Sequence, residues 1–382
     1  MQITVLGMHR SGTSMLARLL ALMGCHAGPE EGFAPPDAAN PKGYWERRDV
    51  WAVDEAILQA LGKSWYDVAE LDLARLPEED RPGLEERAQA IVNELDAHRP
   101  WVVKDPRLCL VFPFWRRFLE RPVCVLIDRD PLSVARSLRV RDGFPLAFGI
   151  ALWERYTLSA LAATLGLPRV AVSCGDLLAH PLATVRRLRE ELTALGADGL
   201  RDPGEAEVMA FVDPALNHHT SDEVQLRGHL NLQQLDLHQA VVSRAALRDQ
   251  PPPLSQGALD ILDSYPRQIA EREALRAKIV ADTSVYLKER EARLHGEETI
   301  THLLADAEAL RTKIAADTLA YDAEREVRLR GEETIAALLT EVEALRAKIA
   351  ADAVTYQTER EVRLRGEETI VELLKQLEPE TP

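Results

Sequence analysis

Short apolar runs alternate with amphipathic stretches along the first two-thirds of the chain. Four of these runs contain several β-branched residues and are predicted to be β-strands, at residues 3–6, 101–103, 123–127 and 169–173. Apolar residues recur at helical spacing in five further stretches, at residues 15–23, 49–61, 84–98, 131–141 and 182–195. This alternation predicts an α/β fold in which helices cover both faces of a parallel sheet.

A repeated pattern replaces this alternation after the prolines at 251–253. Two tetrapeptides recur every 35 residues: Glu-Ala-Leu-Arg begins at Glu273, Glu308 and Glu343, and Gly-Glu-Glu-Thr begins at Gly296, Gly331 and Gly366. Because 35 residues are five heptads, the repeat keeps the phase of a coiled coil. The sequence therefore predicts an α/β domain at residues 1–265 and, at residues 266–382, an all-α coiled-coil-like tail with three repeats.

The seam of this coiled coil is mixed in character. With Leu275 at heptad position d, the seam carries Ile279, Tyr286, Ile300, Leu303, Ala307 and Leu310, but also Asp282, Glu289, Arg293 and Gly296. We expect a long, partly flexible helical rod, about 150 Å in length if it is continuous from residue 271 to 377. Self-association, docking of another protein and a solvated helix without a partner all fit this pattern.

Composition and charge narrow the class of protein. The chain has 382 residues and a formal net charge of −16, which argues against nucleic acid or an anionic membrane as its main partner. No apolar stretch reaches the roughly 18–20 residues of a membrane span, and the first strand begins too close to Met1 for a signal peptide. We therefore expect a soluble, cytoplasmic protein. Four cysteines without metal-ligand spacing are expected to be buried, reduced thiols: Cys25, Cys109, Cys124 and Cys174.

The loop from Gly7 to Ser14, between the first strand and the first helix, is the main candidate site. In such a loop, successive N–H groups and the helix amino end favour a phosphate or sulfate. A nucleotide-triphosphate loop requires a lysine where this chain has Thr13, and here the cation is Arg10 instead. The alternative is a turn that contains glycine and binds no ligand.

Two charged residues elsewhere are candidates for chemistry. Glu46 follows two aromatic residues in an irregular loop, which favours a raised affinity for a proton, and its alternative role is to cap the helix near Asp49. Lys104 ends the second strand in the sequence Lys-Asp-Pro-Arg, where it could neutralise charge on a transferring group. Its alternative role is a surface ion pair with Asp105.

A third cluster follows the strand at 123–127. Asp130 is predicted to be the N-cap of the next helix, and Arg129 and Ser137 lie on one side of this turn. Because ligands bind at the carboxyl ends of parallel strands, we expect the clusters after all four strands to converge, including Asp176. The sequence Asn-His-His at 217–219 lacks a third ligand at suitable spacing, so no metal site is expected.

These motifs resemble those of the PAPS-dependent sulfotransferases, particularly the bacterial type with a P-loop-like fold. The match includes His-Arg-Ser-Gly-Thr-Ser at 9–14, Asn-x-x-Gly-Tyr-Trp-Glu at 40–46, Lys-Asp-Pro-Arg at 104–107 and the pair Arg129 and Ser137. A further segment, at 173–181, is similar to the family's Tyr-Glu-Asp-Leu-Leu motif. Ser173 and Gly175 replace its tyrosine and glutamate, which puts any contact from that tyrosine in doubt.

The resemblance implies a cofactor and a role for each residue. The cofactor is 3′-phosphoadenosine 5′-phosphosulfate (PAPS), whose 5′-phosphosulfate binds Arg10, Ser11, Gly12, Thr13 and Ser14. Its 3′-phosphate binds Arg129 and Ser137. Glu46 acts as general base, Arg10 and Lys104 offset developing charge, and no metal is required. The acceptor is a hydroxyl or amine, and a carbohydrate or glycolipid is favoured.

Two other functions remain open at this stage. One is a P-loop kinase or other nucleotide-binding protein with a displaced cation, which strict dependence on magnesium and ATP would indicate. The other is a catalytically inactive scaffold that acts through the helical tail. Cofactor binding without turnover would indicate the scaffold.

Overall fold

The computed structural model describes most of the chain. Its described residues are 1–36, 40, 42–212, 221, 223–247, 250–320 and 325–376, with side chains described outside 223, 314–334 and 366–376. Contacts divide the chain into two compact units, Met1–Pro266 and Arg267–Pro382. The first is called the N-terminal unit below, and the second is called the tail.

The N-terminal unit contains a four-stranded parallel sheet. Its strands are β1 (Gln2–Leu6), β2 (Trp101–Lys104), β3 (Pro122–Asp128) and β4 (Arg169–Ser173), in the spatial order β2-β1-β3-β4. All three pairings are parallel, and Leu6 of β1 pairs with Leu126 of β3. The four predicted strands are confirmed, and their carboxyl ends lie at one edge of the sheet.

Helices connect and follow these strands. They are α1 (Thr13–Leu22), α2 (Arg48–Ala60), α3 (Arg81–Asp96), α4 (Leu108–Trp115), α5 (Pro131–Asp142), α6 (Leu146–Ala163), α7 (Cys174–Ala179), α8 (Pro181–Ala194), α9 (Glu205–Phe211), α10 (Glu223–His229) and α11 (Leu232–Val242). The helix predicted from residue 84 begins three residues earlier, at Arg81. Pro82 lies in its first turn, where a proline costs no hydrogen bond.

Both faces of the sheet are covered, as predicted. On one face, Ile3 and Val125 belong to a buried core with Leu16 of α1 and Leu188 of α8. On the other face, Leu126 lines a small cavity together with Tyr156 of α6. Burial of apolar side chains on both faces explains why these strands read as almost continuous apolar runs.

On the same face, the β1 and β2 side of the sheet packs against α2 and α4. Thr4 of β1 and Val103 of β2 line a small cavity with Val50 of α2 and Phe112 of α4. The four cysteines are buried and free, so the prediction of buried, reduced thiols is confirmed. In the part of the chain that the structure describes, no helix is both long enough and apolar enough to cross a membrane.

The helical region at the end of the chain contains two helices, α12 (Gln256–Ala320) and α13 (Arg325–Gln376). Within the tail, the Arg293 guanidinium lies 4.2 Å from the Tyr356 ring centre, and that of Arg363 lies 5.8 Å from the Tyr286 ring centre. From Tyr286 to Arg293 the chain advances by seven residues on α12, whereas their partners on α13 move back by seven, from Arg363 to Tyr356. The two helices therefore run antiparallel. The length of about 150 Å that a continuous helix would have therefore does not apply, because a heptad repeat does not specify where one helix ends and the next begins.

The seam of the tail follows the predicted phase only in part. Leu275, Ile279, Tyr286 and Ile300 are half-buried, as are Asp282, Gly296 and Ala307. After Ile300 the half-buried leucine is Leu304, whereas Leu303 and Leu310 are 45% and 44% exposed. A straight helix has 3.6 residues per turn, so its contact face drifts away from a strict heptad seam, and the prediction for these two leucines is wrong.

Candidate active site

The loop between β1 and α1 is shaped by two glycines. A Cβ on Gly7 would lie 2.7 Å from Ile127 Cγ2 and 2.8 Å from its carbonyl oxygen, so Gly7 allows close packing against β3. Gly12 has φ +88°, a conformation that side chains disfavour, and it is the N-cap of α1. Packing within the protein and backbone conformation thus account for both glycines.

The amino end of α1 carries neither a side-chain cap nor an acidic residue in its first turn among the described residues. The first N–H groups of a helix have no intrahelical acceptor and carry partial positive charge. Thr13 and Ser14 begin the helix, and the Ser14 hydroxyl accepts a 3.4 Å hydrogen bond from Asn40 Nδ2.

Arg10 joins the loop to the cluster after β3. Its Nε donates to Ser137 Oγ on α5 at 2.9 Å, and Arg129 Nη1 donates to the Arg10 carbonyl at 3.0 Å. Arg10 itself has φ 68°, an uncommon conformation for a residue other than glycine. The helix α5 that carries Ser137 begins as predicted, because Asp130 accepts from Ser133 N at 2.6 Å. The structure therefore brings together Arg10, Arg129 and Ser137, which lie far apart in the sequence.

Glu46 and Lys104 form a buried ion pair. Lys104 Nζ lies 2.6 Å from Glu46 Oε1, and the two side chains are 1% and 12% exposed. Burial raises the pKa of Glu46 above its ordinary 4.5, while the Lys104 ammonium acts in the opposite direction. A carboxylate with a raised pKa and a fixed ammonium partner is suited to accept a proton while the ammonium stabilises nearby negative charge.

Both alternative roles for these residues are wrong. The N-cap of α2 is Arg47 rather than Glu46, and no side chain among the described residues caps that helix. Asp105 is fully buried and pairs with Arg107 at 3.1 Å, so it does not form a surface pair with Lys104. Arg107 also binds Glu55 at 3.0 Å, which links the end of β2 to α2.

Several positive charges surround the loop although the protein as a whole is acidic. Burial lowers the pKa of Arg10, and the nearby guanidinium groups of Arg141 and Arg129 lower it further. A bound anion would offset this repulsion. In a chain with net charge −16, this local concentration of cations makes the loop suited to an anionic ligand.

His9 is part of the site, although the sequence suggested no role for it. Its ring centre lies 4.5 Å from that of Trp65 and 5.8 Å from that of Tyr156, and it is 8% exposed. Burial, followed by Arg107 and Arg141, holds the pKa of His9 well below 6.5, which favours the neutral imidazole. Its Nε2 is buried without a hydrogen-bond partner among the described residues. Its place beside Arg10 in the loop was the only available sequence signal.

The cluster after β4 lies at the margin of this site. Ser173, which departs from the family motif, caps α7 by accepting from Asp176 N at 3.1 Å. A cavity of about 60 Å³ is lined by residues from three strand ends, including Gly7, Asp128, Ser173 and Asp176. Among the described residues, no group of three or more His, Cys, Asp or Glu side chains could hold a metal ion. The sequence Asn-His-His at 217–219 lies outside the described residues.

Two solved structures are similar to this chain at low sequence identity. The chain is similar to a sulfotransferase domain from the curacin biosynthetic pathway, with 16% identity over 68% of this chain and 95% of that domain and a TM-score of 0.33. It is also similar to a sulfotransferase domain from the Synechococcus PCC 7002 olefin synthase, with 15% identity, 69% and 94% coverage and a TM-score of 0.31. No curated protein matches the chain.

A family model gives the decisive result. The model described as the sulfotransferase family matches residues 2–194, about half of the chain. This range includes all four strands of the sheet, the loop at Arg10, the Glu46–Lys104 pair, and Arg129 with Ser137. The chain belongs to the sulfotransferase family.

Proposed function

We propose that this protein transfers the sulfuryl group of PAPS to a hydroxyl or amine of an acceptor. The observation that carries the proposal is the meeting of Arg10, Arg129 and Ser137 beside the uncapped amino end of α1. This arrangement offers two guanidinium groups, a hydroxyl and helix N–H groups, which suits a ligand with two separate anionic groups. PAPS has such groups at its 5′ and 3′ positions.

The residues of the loop fit the 5′-phosphosulfate. Backbone N–H groups from Ser11 to Ser14 and the Arg10 side chain would hold it at the carboxyl end of β1. Arg129 and Ser137 would hold the 3′-phosphate, which distinguishes PAPS from ADP and ATP. The Ser137 hydroxyl, which accepts from Arg10 in this structure, can instead donate its hydrogen to a phosphate oxygen.

Glu46 and Lys104 account for the chemistry. When bound, PAPS supplies the sulfuryl group, whose bond to the phosphate oxygen breaks as a bond to the acceptor atom forms. Glu46 takes the proton that the acceptor hydroxyl or amine loses, so charge and atoms balance. Lys104 and Arg10 offset the negative charge that grows on the transferred group and on the leaving phosphate oxygen.

We assign this activity to a sulfotransferase domain at about residues 1–265. No step of the proposed transfer uses a residue of the tail. The matched range and the compact unit that ends at Pro266 both support this assignment. A carbohydrate or glycolipid acceptor and a cytoplasmic location stay predictions from the sequence. His9 lies next to Arg10 in the loop, and its buried Nε2, which has no hydrogen-bond partner among the described residues, is suited to hydrogen-bond an acceptor.

Calorimetric titration tests the cofactor. The protein is titrated with 3′,5′-ADP, the product left by PAPS, and with 5′-ADP in the presence and absence of magnesium. We expect metal-independent, micromolar binding of 3′,5′-ADP that Arg129→Ala weakens at least about tenfold, the loss of one charge-assisted contact. Arg117→Ala is the matched control, because that arginine pairs with Glu85 on the surface.

Two results would contradict the proposal. Preference for magnesium-bound 5′-ADP would indicate a kinase, and binding of neither nucleotide would remove the case for this cofactor. If 3′,5′-ADP binds as expected, sulfuryl transfer from PAPS to a panel of hydroxyl and amine acceptors then identifies the acceptor.

A further inference from the structure

The two helices of the tail are held together by pairs of unlike residues. Arg363 of α13 lies over Tyr286 of α12 and is 3.4 Å from the Glu289 carboxylate. Its Nη1 also donates to the Asp282 carbonyl at 3.4 Å. Arg293 of α12 lies over Tyr356 of α13. The first and third repeats thus contact each other reciprocally, since each supplies a tyrosine and receives an arginine.

The same residues occur in every repeat. Tyrosine stands at 286, 321 and 356, glutamate at 289, 324 and 359, and arginine at 293, 328 and 363. In each repeat the arginine follows the tyrosine by one heptad. When two repeats lie antiparallel, each tyrosine therefore meets an arginine. Any repeat is complementary to any other in this orientation, whether the second belongs to the same chain or to another copy.

Two antiparallel helices do not form a core. None of the tail's described side chains is buried, although the N-terminal unit contains many that are fully buried. Apolar side chains remain about half exposed along both helices, at Leu287, Leu294, Leu303, Leu310, Val354 and Leu364. Exposed apolar side chains recurring along a helix pair indicate a surface that further helices cover.

We propose that two copies of this chain associate through their tails, with the first repeat of one copy antiparallel to the third repeat of the other. The Tyr–Arg and Arg–Glu contacts seen within one chain then form between copies, as in domain swapping. A second copy carries the same tyrosines, glutamates and arginines in the same phase, and its two helices supply the further helices that would cover the exposed apolar side chains. This inference does not depend on the transfer reaction.

Two charge-reversal variants can distinguish contacts between two copies from contacts within one copy. Glu289→Arg places like charges at 289 and 363, and Arg363→Glu does the same with the opposite sign. Between two copies of one variant, both contacts are repulsive. Between one copy of each variant, both contacts again join opposite charges. Mixing restores the contacts only if they lie between copies.

The experiment uses full-length chains with two different affinity tags, and measures mass by light scattering from about 1 to 100 µM. We expect the wild type to have twice the 42.6 kDa chain mass. Each reversal alone should weaken association about tenfold, and the mixture should recover it with both tags in one complex. Glu291→Arg, an exposed site on α12, is the matched control and should not change association.

Three results would overturn the proposal. A wild type that stays monomeric throughout this range would show that the tail does not join copies. Variants that fail to recover association when mixed would place the contacts within one chain. Association that neither reversal weakens would show that the copies meet through another surface.

Discussion

The N-terminal unit and the tail use charged residues in opposite ways. In the N-terminal unit the Lys104 side chain is 1% exposed, and its ion-pair partner among the described residues is Glu46. In the tail, Arg363 and Glu289 are 27% and 47% exposed, and their residue types recur in every repeat. Function in the first region therefore depends on individual residues, whereas cohesion in the second depends on repetition.

Access to water determines how much an ion pair contributes to stability. A buried ion leaves its partner uncompensated when it is removed, and the effect is several kcal/mol. Two charges on the surface are well solvated whether or not they pair, so their pairing contributes about 0–1 kcal/mol. Single substitutions should therefore have large effects in the N-terminal unit and small effects in the tail.

The largest effect is expected from Glu46→Gln. The amide cannot accept the proton, so kcat for sulfuryl transfer should fall about 10²- to 10⁴-fold. Binding of 3′,5′-ADP, measured by calorimetry, should stay within about threefold, since the carboxylate is assigned to the acceptor. For the wild type, kcat should fall as the pH drops through the raised pKa of Glu46, because only the ionised carboxylate is a base.

Glu85→Gln is the matched control, because Glu85 forms a surface pair with Arg117. It should change neither kcat nor the acidic limb of the pH profile. An acidic limb that persists unchanged in Glu46→Gln would assign proton removal to another residue, and the neutral His9 would be the next to test.

An intermediate effect is expected from Glu154→Ala. Glu154 on α6 is 2% exposed and accepts from Gln234 Nε2 at 2.8 Å and from Ser255 N at 2.6 Å. These bonds connect α6 to α11 and to the residue before α12. Removing the carboxylate leaves buried donors unpaired, so the free energy of unfolding in urea should fall by about 2–4 kcal/mol.

Glu85→Ala again provides the comparison, and its effect on unfolding should be below about 1 kcal/mol. An equally small effect of Glu154→Ala would mean that water or a rearranged side chain satisfies these donors. The distinction between buried and exposed pairs would then fail in the region where it should be clearest.

The smallest effect is expected from Arg293→Ala in the tail. The substitution removes one exposed guanidinium from the Tyr356 ring, and the loss should be below about 1 kcal/mol. Circular dichroism during thermal melting of the full chain measures it, with kcat as a second measurement that should not change. Arg290→Ala, at an exposed position of α12, is the control. A loss above about 2 kcal/mol would show that tail contacts are not independent of one another.

Local patterns predicted most of the fold. The four strands and the start of α5 follow from apolar runs and from an aspartate before a proline, and these signals lie within a few residues of the structure they specify. The meeting of the clusters after β1 and β3 followed from a general property of parallel sheets rather than from any one motif. That argument correctly brought Arg10 and Arg129 together.

Contacts between distant segments could not be predicted in this way. Glu46 and Lys104 were each identified as candidates, but their pairing depends on how an irregular loop lies over the end of β2. The lowered pKa of His9 depends on burial and on cations that lie in or directly after β2, in α5 and in the loop after β1. In the tail, the 35-residue repeat keeps its heptad phase from α12 into α13, so nothing in the sequence indicated that these two helices run antiparallel.

The 35-residue repeat has a consequence for how such a tail can change in length. Deleting or duplicating one repeat shifts the chain by five whole heptads, so the one-heptad spacing between tyrosine and arginine is kept in every remaining repeat. Each such step adds or removes about 52 Å of helix. A change of any other size breaks the phase, so recombination among these repeats can alter length only in discrete steps. Whole repeats can therefore be added or removed without changing which residue types face each other in an antiparallel pair of repeats.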